Sequence, residues 1–566
     1  MNLNLLQDML SGRTMRVYVD IATESEKTSI KPEHFLFESL QGEESLSLLP
    51  IYTVRVLHHS DKLNLGLLLG KNLTVEILTS AAPRYVGGLI TQGRLIGQSD
   101  NNQRYFSYEL TISPWLWLTT INKEFRIYQN LTVPQIIDNI LDTYGFDAEF
   151  KLLDNYSPRT YCVQYGESDF TFISRLLEEE GIHYYFQYHQ NKQTLIMTDD
   201  FITHDKVKGY EIIPYYEHDK LVHVQEEYLS EQRSVESLCS SRYYSVDYNY
   251  LAPYRLLNDT SAWPMRQAHH PGGEIFEWPG GYKEDKLGEQ YARRRVEELQ
   301  HKREYFQFNG TIRGLVLGAS FQLQNDPRPH QSTHNTLNHD PNVYIVLATH
   351  YDLKESPYQS SAVQSSIPSA LASQDSIQNK ASPLDEQYRC LIRLTAQDKK
   401  QPFRPLRLTP KPRTYGPQTA IVVGPNGHEI WTDEHGRVKV QFQWDRYGQE
   451  DEHSSCWVRV SSAWASNNFG AIQIPWIGDE VIVDFLNGDP DYPIITGRVY
   501  NARNMPPWNL PLNATQMGIY SRTSPDGIYA TANALRFEDK KEQEEIYIHA
   551  QKDQNIKVKN NYSKRI

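Results

Sequence analysis

The sequence predicts a mainly β chain with some α, on three observations. Between Phe35 and Leu118, and again after Thr419, it runs in short segments of alternating apolar and polar residues bounded by Gly, Asn, Asp or Ser. Its 37 Tyr and 10 Trp are many, and aromatic side chains favour pleated, half-buried surfaces. Helical spacing of apolar residues recurs only in a few stretches, so helices punctuate a β framework.

In the first β-rich region, YTVRVLHH, LTVEILTS and YFSYELTIS each read as a strand of a barrel or sandwich. LTVPQIIDNILDTYG then sets Val133, Ile136, Ile137, Ile140 and Leu141 at helical spacing, with Thr132 as cap, Pro134 in the first turn and Gly145 as terminator. YGESDFTFISRLLEEEGIHYYF (165–186) is the next helix. Phe170, Ile173, Leu176 and Leu177 share its apolar face, and Ser174, Arg175, Glu178 and Glu179 are expected to face solvent. Ser168 or Glu167 caps its start and Gly181 suits its left-handed end, after which IHYYFQYHQNKQTLIMTD turns as a hairpin near Asn191. The run KEDKLGEQYARRRVEELQHKREY is a charged helix with a modest stripe of Leu287, Tyr291 and Val296, its charges expected to be solvated. Residues 354–385 are Ser-rich with few large apolar groups, too little to offset ordering entropy, and read as a flexible loop.

From Thr419 strands crowd together, with turns at GPNG, DEHG, DRYG and NGDP. In RVKVQFQW the residues Val438, Val440, Phe442 and Trp444 lie on one face and Lys439, Gln441 and Gln443 on the other, the pattern of a strand with one buried side. Strands of this number suit a small closed barrel of the oligonucleotide/oligosaccharide-binding (OB) type, with Val438, Val440, Phe442 and Trp444 as candidate core. EEIYIHAQKDQNIKVKN repeats a short alternating strand, with Ile546 and Ile548, then Ile556 and Val558, on matching faces. Two such strands cannot bury themselves.

Composition closes off several functions. At 566 residues and 65.7 kDa the chain exceeds one compact core, and about three or four domains are expected. Its 57 Lys and Arg against 70 Asp and Glu leave a net charge of −13, wrong on average for nucleic acid or anionic lipid. Cys162, Cys239, Cys390 and Cys456 are far apart with no CxxC pair, so neither zinc nor a disulfide framework is expected, and reduced cysteines in a cytoplasmic chain are the simplest reading. MNLNLLQDMLSGRTMRVYVD has no secretion-signal pattern, and no run of about 18 apolar residues occurs, so export would need a machine other than the signal-peptide route.

SPWLWLTTINKEFRIYQNLTVPQIIDNIL (113–141), YCVQYGESDFTFISRLLEEEGIHYYF (161–186), the long run from TDEHGRVKVQFQW to GRVYNA (432–502), and LRFEDKKEQEEIYIHAQKDQNIKV (535–558) together carry a resemblance. In this order they resemble the VgrG spike proteins of bacterial type VI secretion systems, relatives of the hub and spike proteins of contractile phage tails. The resemblance implies a homotrimer with phage-tail-hub-like barrels over residues 1–385, an OB-type barrel with its lead-in over 386–505, and a linker and the start of an intertwined β-helical needle over 506–566. Ile546, Ile548, Ile556 and Val558 would form the needle core, since an IxI strand with open edges is an aggregation hazard unless other chains cover it. Implied partners are a hexameric tube protein, baseplate proteins, effectors and a cap protein with a proline-alanine-alanine-arginine (PAAR) motif. Family members usually continue the needle further, whereas NYSKRI follows soon after Val558, so a cap-binding tip is expected to be missing or short and a C-terminal effector domain absent. The implied route is cytoplasmic synthesis followed by secretion through the apparatus and piercing of a target-cell membrane.

No catalytic, cofactor-binding or metal-binding residue is expected. Asp169 and Glu180 lie eleven residues apart on one helix, about 16 Å along its axis, too far for paired glycosidase carboxylates at roughly 5 to 9.5 Å. His330, His334 and His339 sit among Pro, Asn and Ser in a loop, and His269 and His270 precede PGG, so neither set is aimed at an ion. Neither GxSxG nor GxxxxGK[ST] occurs. The rival reading, a phage- or tailocin-like spike with a cell-wall hydrolase insert, is disfavoured because the stretch between Asn501 and Leu535 is too short to hold one.

Overall fold

A computed structural model describes residues 13–20, 35–99, 104–190, 192–204, 206–216, 227–255, 257–262, 273–328, 342–355 and 388–566. The turn residue Asn191, His269, His270, His330, His334, His339 and nearly all of the Ser-rich 354–385 stretch lie outside them. The chain divides into two compact units, Met1–Lys123 with Thr132–Pro158 and Ser168–Pro410, and Glu124–Leu131 with Arg159–Glu167 and Lys411–Ile566.

In the first unit, twelve strands follow one another in hydrogen-bonded order. Ile51–His58 sits between Leu36–Ser45 and Phe106–Ser113, and its alternate residues Tyr52, Val54 and Val56 are fully buried, as the period of two requires. Tyr344–Glu355 pairs with both Leu36–Ser45 and Tyr388–Asp398. That second pairing closes Tyr344–Glu355, Ser320–Gln324, Ile212–Tyr216, Leu229–Glu236, Glu304–Gly310 and Tyr388–Asp398 into a six-stranded ring. Phe306 and Phe308 meet Tyr344 edge-on at 5.3 and 5.5 Å inside it, and Phe321 stacks on the same ring at 5.4 Å.

Among the described residues, three α-helices decorate this unit. Helix α1 (Val133–Leu141) starts on a capping box between Thr132 and Gln135 and buries Val133, Ile136, Ile137, Ile140 and Leu141. Helix α2 (Asp169–Glu180) takes Ser168 as its cap, the hydroxyl accepting from the Thr171 amide, and ends at Gly181 with φ 70°. The hairpin after it pairs His183–His189 with Lys192–Thr198, and Ala148–Lys151 adds in parallel. Helix α3 (Asp285–Gln300) lays Ala292 and Val296 against Tyr243 of a three-stranded sheet.

In the second unit, five strands run in the order Lys439–Phe442, Gln418–Val423, Glu480–Phe485, Pro493–Val499 and Arg459–Val460. A bridge between Val438 and Val458 joins the two ends, so the sheet closes on itself as a small barrel. Beside it stand the two-stranded ribbon Glu124–Tyr128 with Cys162–Glu167 and the antiparallel sheet Gln516–Tyr520, Ala534–Glu538 and Glu545–His549.

Candidate functional site

The three-stranded sheet of the second unit is the feature that monomer physics does not complete. Its register sets Met517 opposite Phe537 and Ile519 opposite Leu535, then Phe537 opposite Ile546 and Leu535 opposite Ile548. Those six apolar side chains therefore share one face. Ile546 is 67% and Ile548 61% exposed, and Met517 and Ile519 are 55% and 64% exposed. Ile556 and Val558 follow at 66% and 47%. Sequence reasoning found the IxI pattern but missed Met517, Ile519, Leu535 and Phe537, although MGI and LRF carry the same alternation. On the opposite face Arg536 pairs with Glu545 at 2.6 Å and lies 5.0 Å from the Tyr547 ring. At Gly518, with φ 148°, a side chain would run into the Leu535 carbonyl, so the strands approach only because this position has none.

The small barrel lies in the same unit as this sheet. Val438, Val440 and Phe442 are buried among Ala420, Val422, Val481 and Val483. Regular pairing stops at Phe442, and Trp444 lies in the turn beyond, half-buried and stacked on Phe442 at 5.0 Å. Its indole donates to Gln418 Oε1 at 2.9 Å, while Phe125 and Tyr165 flank it at 5.6 and 5.8 Å. Phe125 and Tyr165 come from the two short excursions of the N-terminal half, and no local signal in the sequence ties them to this unit. Gln441, expected on the solvent face, is buried instead: its amide donates to the Asp445 carbonyl at 2.8 Å and supports the following loop.

Asp169, Glu178 and Glu180 of α2 are buried and hydrogen-bonded, and the solvent-facing assignment is corrected for Ser174, Arg175 and Glu178, while Glu179 stays half-exposed. Ser174, Arg175, Glu178 and Glu180 are buried, as are Arg294, Arg295 and Glu298 of α3, whose charges were also expected in water. Asp169 Oδ2 accepts from Tyr144 Oη at 2.7 Å and Asn122 Nδ2 at 2.5 Å. Glu180 accepts from Arg294 at 2.7 Å and from Tyr291 Oη at 3.2 Å. Glu178 takes the Thr409 amide and hydroxyl, each at 2.8 Å. Burial pushes the Glu178 carboxyl up, against the pull of Thr409, the profile of a candidate acid. Both its oxygens are nonetheless committed to Thr409, which leaves none aimed at a substrate. Arg404 continues the clamp by donating to Glu297 at 2.7 Å and to the carbonyls of Gly181 and Asp199 at 3.1 and 2.7 Å. Among the described residues, no group of three or more His, Cys, Asp or Glu is placed to hold a metal ion.

Comparison with known proteins places these parts in one kind of machine. Residues 43–343 match the family model of the phage tail baseplate hub (GPD), residues 420–500 the type VI secretion system/phage-baseplate injector OB domain, and residues 517–566 the bacteriophage T4 gp5 C-terminal trimerisation domain. A hub, an injector barrel and a trimerisation segment in this order define a contractile-injection spike. Type VI secretion system spike protein VgrG1a of Pseudomonas aeruginosa is 38% identical over 536 residues, covering 94% of this chain and 78% of that protein. VgrG1c of the same organism is 38% identical over 561 residues, covering 98% and 71%. The chain belongs to the VgrG family of type VI secretion spike proteins. Two solved structures share the fold. The E. coli c3393 protein, described as a type VI secretion component with structural similarity to T4 tail proteins gp27 and gp5, has a TM-score of 0.55 at 20% identity and covers 86% of this chain and 100% of that one. A Francisella PdpA–VgrG complex gives 0.53 at 11% identity, covering 91% and 76%.

Proposed function

We propose that this chain acts as the homotrimeric spike of a type VI secretion apparatus, seated on the hexameric tube protein and surrounded by baseplate proteins. It is made in the cytoplasm, driven out by contraction of the machine, pierces a target membrane, and carries effectors, with a PAAR-type cap as a further partner. Its work is mechanical and needs no active site. The observation that carries this reading is the apolar face shared by Met517, Ile519, Leu535, Phe537, Ile546 and Ile548, exposed at every position but the half-buried Phe537, within the segment that matches a trimerisation domain. Three copies wound about one axis would cover all three faces at once and remove every open sheet edge. Ile556 and Val558 extend the same core in this reading.

The test is export. In cells lacking their own copy, the wild-type chain should reach the medium only when the sheath is functional, and Ile546→Asp with Ile548→Asp should stay inside. A doubly substituted chain exported as well as wild type would refute the threefold core.

A further inference from the structure

The residues that follow the C-terminal sheet reverse the charge of the protein. From Lys552 to Arg565 there are five basic side chains, Lys552, Lys557, Lys559, Lys564 and Arg565, against the single acid Asp553, a net of +4. With −13 for the whole chain, everything else sums to −17. The reversal is local, because residues 538–545 carry five acids against two lysines, a net of −3. All five basic residues are exposed, and none makes an ion pair among the described residues, in contrast with Arg536, which is paired to Glu545.

In the threefold reading, a strand through Ile556 and Val558 would fix by its alternation where two of these charges point. If Ile556 and Val558 join the covered core, Lys557 and Lys559 between and after them must project outward. Three chains would then present six ammonium groups within a short length of needle, at about 3.3 Å per residue. Exposed Tyr562 and Ile566 flank Lys564 and Arg565, so the stretch combines cations with apolar and aromatic side chains, the composition that settles at a lipid interface. We infer that the basic residues of 552–565 bind the anionic head groups of a phospholipid bilayer. The contact would hold the needle to the surface it is about to cross. The inference rests on the spike reading for the bilayer's being there. It needs only local charge, because the acidic remainder is screened beyond about 8 Å at physiological salt.

The experiment is sedimentation of the full chain with vesicles of phosphatidylcholine alone or with 30% phosphatidylglycerol. Wild type should bind only the anionic vesicles and be released by 0.5 M salt. A variant with all five basic residues changed to Gln should lose at least about 100-fold in partitioning, at roughly a factor of five per charge, while its solution mass stays that of the wild type. Equal binding by the variant, or equally tight binding of wild type to a short DNA duplex at the same salt, overturns the inference. If wild type ignores the vesicles yet is exported with the sheath, the lipid contact falls and the spike reading stands. If export also fails, both fall.

Discussion

Replacing Arg294 by Ala tests whether the acids of α2 hold the hub together. The guanidinium is 1% exposed and pairs with Glu180, itself 6% exposed, at 2.7 Å. It reaches Asp154 at 3.4 Å and lies over the Tyr156 ring at 5.1 Å. Removing it strips a buried carboxylate of its cation, a change that costs about 3 to 5 kcal/mol, whereas the pair as a whole is worth little against apolar residues of the same volume. Arg294→Ala should therefore speed amide exchange across residues 169–180 by about 100-fold or more, at about 1.4 kcal/mol per decade. Arg294→Met with Glu180→Leu should restore most of the protection. The assay is hydrogen exchange on the folded chain. An increase below about tenfold in Arg294→Ala would mean that water reaches Glu180 freely, and the scaffold account of these acids would be wrong.

Trp444→Ala removes the plate on which Phe442, Phe125 and Tyr165 converge and should cost about 3 kcal/mol in the unfolding of the second unit, read by urea titration. Gly518→Ala forces a methyl against the Leu535 carbonyl and should cost about 2 kcal/mol, visible as lost exchange protection in the strands Gln516–Tyr520 and Ala534–Glu538. Burial pushes His301 down to about 4, so its folded value lies below the unfolded 6.5 and its stabilising effect is present above 6.5 and lost as pH falls toward 4. Between those limits the first unit should lose about 3 kcal/mol on this account, and His301→Phe should flatten that part of the curve. A slope unchanged by the substitution would assign the effect to other groups, such as His183, which burial also holds low.

Period-two patterns were legible because alternation reports directly which side of a strand leaves water: Val438, Val440 and Phe442 are buried as their spacing requires, and Ile546 and Ile548 share a face. The helix caps at Thr132 and Ser168 were legible for a similar reason, since a cap acts within three residues of itself. What stayed hidden depends on partners far along the chain. Glu180 meets Arg294 across 114 residues and Glu178 meets Thr409 across 231, so a face that looks polar and solvated in sequence is a buried ionic lattice in space. Gln418 and Trp444 close on Tyr165 in the same way, through an excursion of the chain that no local pattern announces. Gln441 was misplaced because one buried amide, satisfied by the Asp445 carbonyl, looks in sequence like any outward-facing polar residue.

The threefold needle is the central claim, and the mass of the purified chain in solution tests it most directly. Light scattering should return three times 65.7 kDa, about 197 kDa, for the wild type and 65.7 kDa for Ile546→Asp with Ile548→Asp. The same mass for both proteins, whether one chain or three, would contradict the assignment of that apolar face to the trimer axis.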